Sequence, residues 1–169
     1  MTGATLNLDK LAAEQAQEMV RKVREEAERE AEDRGRQAGK SPEEIERDKQ
    51  VLREKRTETL ERLATKTLGV LQEQGVYAMM LFLFSRTSDE AKVAECCIRP
   101  QLYQVLKALP AFQNDADVPD DEADAETALK FYTEKILDDL DTLLLVRDLY
   151  EQTLIYTRYG AKAAAGGEP

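Results

Sequence analysis

The run Val76–Phe84, VYAMMLFLF, contains only apolar residues and one tyrosine, and it limits what the rest of the chain can become. Wound as a helix it leaves no face for water, so it predicts a central helix surrounded by others. Nine residues are about half of what a bilayer core requires, so a buried helix is expected and a membrane span is not. Gly75 directly precedes the run. Glycine enters left-handed backbone without a steric cost, which makes it the natural stop for a preceding helix that ends near Gln74 and carries Leu68, Val70 and Leu71.

A chain of 169 residues with 42% hydrophobic and 34% charged content, only 8 Gly and 5 Pro, favours one all-α domain over a loop-rich β fold. The expected architecture is a bundle of about five to six helices spanning residues 8–160, with a long N-terminal helical hairpin and the nearly all-apolar helix at its centre. Residues 1–7 and 161–169 read as disordered ends.

The hairpin is carried by two stripes. Leu8, Leu11, Ala12, Met19, Val20, Val23, Ala27 and Ala31 recur at helical spacing behind a cap at Asn7 or Asp9. Beyond Val23 the stripe is alanine, so residues 24–34 are expected to project or to be thinly covered, with Glu25–Arg29 and Glu30–Arg34 paired along the helix. Gly35 and Gly39 bracket a turn, and Ser41, Pro42 and Glu44 form a complete capping box for a helix running to Gln74. Ile45, Leu52, Leu60, Leu63 and Val70 give it a coiled-coil-like seam.

After a break at Arg86–Ser88, Ser88 is expected to cap a helix that Pro100 kinks or divides and Pro110 ends. Residues 113–126 hold seven carboxylates and no Lys or Arg, and read as a mobile surface loop. The last helix is expected from Ala125 to Tyr159, closed by Gly160, with Leu129, Ile136, Leu140, Leu143 and Leu154 on one face.

The absence of histidine removes Ser-His-Asp and Cys-His nucleophiles and the commonest zinc ligand together. No phosphate-binding glycine loop, CxxC spacing or EF-hand pattern is present either, so the expectation is a protein without catalysis and without a cofactor. Adjacent Cys96 and Cys97 would close a strained ring if paired, and both read as reduced thiols. With no signal-peptide pattern at the N-terminus, the cytoplasm is the expected compartment.

Binding remains. The net charge of −10 argues against nucleic acid at first sight, but the acidic stretch contributes −7 of it and leaves −3 for the rest. Lys55, Arg62 and Lys66 lie on one flank of the second helix at spacings of seven and four. They are either a solvated flank balanced by Asp48 and Glu58 or a phosphate-binding row. Arg147 and Arg158 fall in phase with the leucine face of the last helix. Arg147 either pairs with Glu151, or the apolar face gives way there to a surface for RNA or a neighbouring subunit.

Two segments resemble a known family. VLQEQGV at 70–76 with MMLFLFSR at 79–86 is similar to the pattern LxxLIxxNGLxxTLAFL followed by a polar break. LLVRDL at 144–149 with LIYTRYGA at 154–161 is similar to LLxxREALxLLxWLxRFAxA. Both patterns belong to the small helical subunit of type III CRISPR RNA-targeting effector complexes, especially the type III-B (Cmr) subunit. Leu68 stands where that family often has proline, and Gln74 where it has asparagine.

The resemblance implies a non-catalytic subunit in antiviral defence that stacks in copies along guide RNA and target RNA beside the other effector subunits. It implies that Lys66 and Arg86, flanking the glycine motif, and Arg147 and Arg158, on the closing helix that ends at Lys162, touch the RNA backbone. A reading of a different class is a protein-only helical adaptor or regulator that dimerises through its charged hairpin.

Overall fold

The computed structural model describes residues 5–166, and among them there is no strand. Residues 1–4 and 167–169, expected to be disordered, lie outside the described residues. The all-α bundle is built on α1 (Leu8–Gln37) and α2 (Pro42–Gln74), an antiparallel hairpin as expected. Asn7 caps α1 by accepting the Lys10 amide at 3.0 Å, and Ser41 and Glu44 close the capping box of α2 at 3.3 and 3.1 Å. The two helices approach so closely at Gly35 that a Cβ there would lie 2.5 Å from Ile45 Cγ1.

The alanine end of α1 does not project. Ala27 and Ala31 are buried, and α2 and residues 94–108 pack over this helix, so small side chains here permit close approach. Glu30 pairs with Arg34 as the spacing predicts. Glu25 instead pairs with Arg21 at 2.7 Å, and Arg29 with Glu26.

Helix α3 (Val76–Phe84) begins and ends where the sequence predicts, with Gly75 at φ +95° and ψ −178° between it and α2. That backbone region is open almost only to glycine, and no atom beyond its two chain neighbours lies within 4 Å of where a Cβ would be, so the obstacle to a side chain is conformational. Gly75→Ala should therefore cost about 1–3 kcal/mol in urea unfolding with an unchanged m-value. The expected enclosure of α3 on every side does not hold. Val76, Met79, Met80 and Leu83 are buried, Leu81 is 45% exposed, and Phe82 and Phe84 are half-buried. The outer aromatic rings are roofed by guanidiniums, Arg86 at 3.8 Å over Phe82 and Arg99 at 4.1 Å over Phe84.

Next come α4 (Ser88–Val93), a π-turn (Ala94–Ile98) and α5 (Arg99–Ala108). Thr87, extended, takes the cap position, while Ser88 is the first helical residue at φ +58° and caps nothing. Pro100 lacks an N–H and its ring would crowd the carbonyl four residues back, so the chain widens before it and the Arg99 amide donates to the Ala94 carbonyl. Within this turn Cys96 and Cys97 are joined to each other as a disulfide, against the expectation of two free thiols. A π-turn winds less per residue than an α-turn, so neighbouring side chains diverge less there.

The acidic segment is anchored by buried Val118 and Pro119 and shaped by Asp115 and Asp120, whose side chains accept amides two residues on. The helix expected from Ala125 to Tyr159 is two. Helix α6 (Ala125–Phe131) passes into a π-turn (Tyr132–Ile136) and stops. Helix α7 (Leu140–Ala165) starts afresh at Asp139, whose carboxylate accepts from Thr142. The break folds the chain back so that the Tyr132 and Tyr150 hydroxyls meet at 2.6 Å in the interior.

Nor does α7 end at Gly160. That glycine sits against Val20 of α1, where a Cβ would lie 3.5 Å from its methyl, and the helix continues through buried Ala161 to Ala165. Residues 161–165, expected to be disordered, are thus helical. No helix among the described residues is long and apolar enough to cross a membrane.

Candidate nucleic-acid interface

The flank of α2 that carries Lys55, Arg62 and Lys66 faces α4, and the bend after α3 brings Arg86 to its end. Two adjacent carboxylates in the first turn of α4 gather these cations. Asp89 lies 3.5 Å from Lys55 and 3.4 Å from Arg56, and Glu90 lies 2.6 Å from Lys66 and 3.5 Å from Arg86. The hydrogen bond from Lys66 holds the Glu90 carboxyl below its usual range, against the opposing pull of partial burial. Lys55 is thus balanced by Asp89 and not by the expected Asp48, which pairs with Lys40 at 2.6 Å. Arg62 is exposed, touches only the Thr59 hydroxyl at 3.4 Å, and has no carboxylate within 4 Å among the described residues.

The α7 cations divide. Arg147 is turned inward and donates to the Gln72 backbone carbonyl at 3.2 Å, with its Nε buried and unpartnered. It does not pair with Glu151, which accepts instead from the Gln72 side chain at 2.8 Å. The end of α2 offers Arg147 an open carbonyl, because the last turn of any helix leaves carbonyls unsatisfied. Arg158 and Lys162 lie one turn apart near the other end of α7. Arg158 is half-buried beside Tyr159, and Lys162 is exposed.

Two arginines escape a reading of charge spacing. Arg99 is noted above. Arg56 is 5% exposed, bonds Glu30 at 3.0 Å as well as Asp89, and keeps an unpartnered Nε. Its signal is its phase: Arg56, Leu60, Leu63 and Thr67 form one buried stripe of α2. Burial pushes the Glu30 carboxyl up, but bonding from Lys92 and the charges of Arg56 and Arg34 outweigh it and leave it low. This inner network ties α1, α2 and α4 together. No group of His, Cys, Asp or Glu among the described residues could hold a metal ion.

Comparison with protein-family models, with curated proteins and with solved structures finds no significant match.

Proposed function

We propose that this chain is a non-catalytic small subunit of a type III CRISPR effector complex in the cytoplasm, lying along guide RNA and target RNA and touching the backbone and neighbouring subunits, including further copies of itself. The observation that carries this reading is the packing of the two resembling segments against each other. Gln72, three residues before the glycine motif, holds both Arg147 and Glu151 of the closing helix. Lys66 and Arg86 then flank one segment, and Arg158 and Lys162 end the other, as exposed or half-exposed cations. Lys55 and Arg62 extend the row along α2. Such side chains hold phosphate without reading bases.

The adaptor reading needs a free apolar seam on the hairpin. Leu60 and Leu63 are fully buried within the chain, and Leu52 is half-buried, which weighs toward the RNA reading.

Filter retention of single-stranded RNA tests the proposal. A uridine homopolymer and a mixed sequence should bind alike, with log K falling linearly in log salt by about 0.7 for each phosphate contacted. Glu90→Gln releases Lys66 and Arg86 together and should tighten binding about 3- to 5-fold, the scale of an exposed ion pair, while steepening the salt slope. Absence of retention by both the free chain and the assembled complex at about 50 mM salt overturns it.

A further inference from the structure

Nine large apolar side chains are exposed among the described residues, and four of them, Leu137, Leu140, Leu144 and Leu145, crowd the start of α7. Leu140 is 66% exposed and Leu144 47%. Of the others, Leu6 and Leu8 are two positions apart at the start of the described chain, and Val51, Leu81 and Tyr159 are single; scattered apolar residues need no explanation, whereas a group of four does. At 3.6 residues per turn, Leu140 and Leu144 stack one above the other, with Asp141, Asp148 and Leu145 beside them on the same outward face.

Charge defines what can cover this face. Asp138, Asp141 and Asp148 are exposed, and none has a Lys or Arg nitrogen within 4 Å among the described residues. Some carboxylates elsewhere on the chain are ion-paired, as at Glu18, Glu32, Asp48 and Glu90, whereas the three that border these leucines are all free to meet a cation from outside. The nearest cations are otherwise engaged: Arg147 turns inward to Gln72, and Lys135 approaches Asp115 at 3.8 Å. A leucine face interleaved with unpaired carboxylates repels RNA and anionic lipid alike. It complements an apolar stripe bordered by Lys or Arg.

We propose that the Leu137–Leu140–Leu144–Leu145 face is a docking surface for a basic amphipathic helix of a partner protein. The leucines enter the partner's apolar stripe, and Asp138, Asp141 and Asp148 meet its flanking cations. Helix α7 thereby has two ends of different use, a protein-binding start and a cationic finish at Arg158 and Lys162. The inference does not rest on the RNA reading. A second copy of this chain is a poorer occupant, because this face set against itself brings Asp138, Asp141 and Asp148 to their own copies.

The test uses the full chain and a labelled leucine–lysine amphipathic peptide of about 14 residues, four helical turns, followed by fluorescence anisotropy. A leucine–glutamate peptide of the same pattern is the control. The expected result is binding of the basic peptide only, weakened at least about tenfold by Leu140→Ser with Leu144→Ser and several-fold by Asp141→Asn with Asp148→Asn. The aspartate variant keeps every leucine, so it remains informative if the serine variant folds poorly. Equal binding by wild type and both variants overturns the proposal, as does equal binding of the two peptides. A concentration-dependent dimer in sedimentation that the serine variant abolishes also overturns it, by making a second copy the occupant.

Discussion

Lys66→Glu combined with Arg158→Glu is expected to lower RNA retention by the assembled complex at least about 100-fold at physiological salt, because on the proposed function two phosphate contacts are lost and two repulsions replace them. Lys66 flanks one of the two segments that resemble the small-subunit family and Arg158 lies in the other, on α2 and α7, so a contact surface spanning both loses an anchor on each. Lys66 is exposed and Arg158 half-buried, and neither belongs to the buried core. The Lys66 side chain is 53% exposed, and although its reversal sets a carboxylate near Glu90, Glu90 keeps Arg86, so the unfolding midpoint should fall only slightly. Arg147→Glu is the instructive contrast. That side chain is spent on the carbonyl of Gln72, and reversing it should lower thermal stability whether or not RNA is bound. If the double variant retains RNA normally in co-purification and filter assays, the row along α2 and the end of α7 are not the contact surface.

The second large effect is alkaline unfolding. Tyr103, Tyr132 and Tyr150 are almost wholly removed from water. Burial pushes the Tyr103 phenol up to about 12, with Arg99 beside it pulling only partly back, and it raises Tyr132 and Tyr150 well above the ordinary tyrosine range. A phenol is neutral when protonated, so a folded-state value above the unfolded value of about 10 favours the fold at low pH. That contribution is whole below about pH 10 and is lost as pH rises toward and through the folded value. Tyr103 alone accounts for about 3 kcal/mol, at about 1.4 kcal/mol per unit. Absorbance of phenolate near 295 nm and far-UV dichroism should therefore move together above about pH 10, with these three rings ionising only as helix is lost. Tyr132→Phe with Tyr150→Phe should push that transition to higher pH. Ionisation of all three rings with the helix content intact would contradict the burial on which the argument stands.

What a reader of residues alone can find here follows from how local each cause is. Ser41, Pro42, Glu44 and Gly75 mark ends of α2 through groups within four residues of themselves, and so the bounds of α2 and α3 are legible. The stop before Asp139 is not. Leucine continues on both sides of it, and the reason for the reversal is the meeting of Tyr132 with Tyr150, side chains that only the folded chain brings together. Gly160 misleads for a similar reason, since its missing side chain makes room for Val20 of a distant helix and does not end its own. The cations of the candidate interface are visible by spacing, but their collection around Asp89 and Glu90 depends on how α4 leaves the bend at Thr87 and Ser88, which spacing does not encode.

The arginine roofs over α3 also bear on how the chain is made. Phe82 and Phe84 reach the nascent chain before the residues that shelter them, and Arg99, which covers Phe84, emerges fifteen positions later. At about 5–20 residues per second, a growing polypeptide holds this bare aromatic edge for roughly one to three seconds. Until then Phe84 waits without the guanidinium that covers it in the finished molecule, an order of synthesis fixed by where Arg99 stands in the chain.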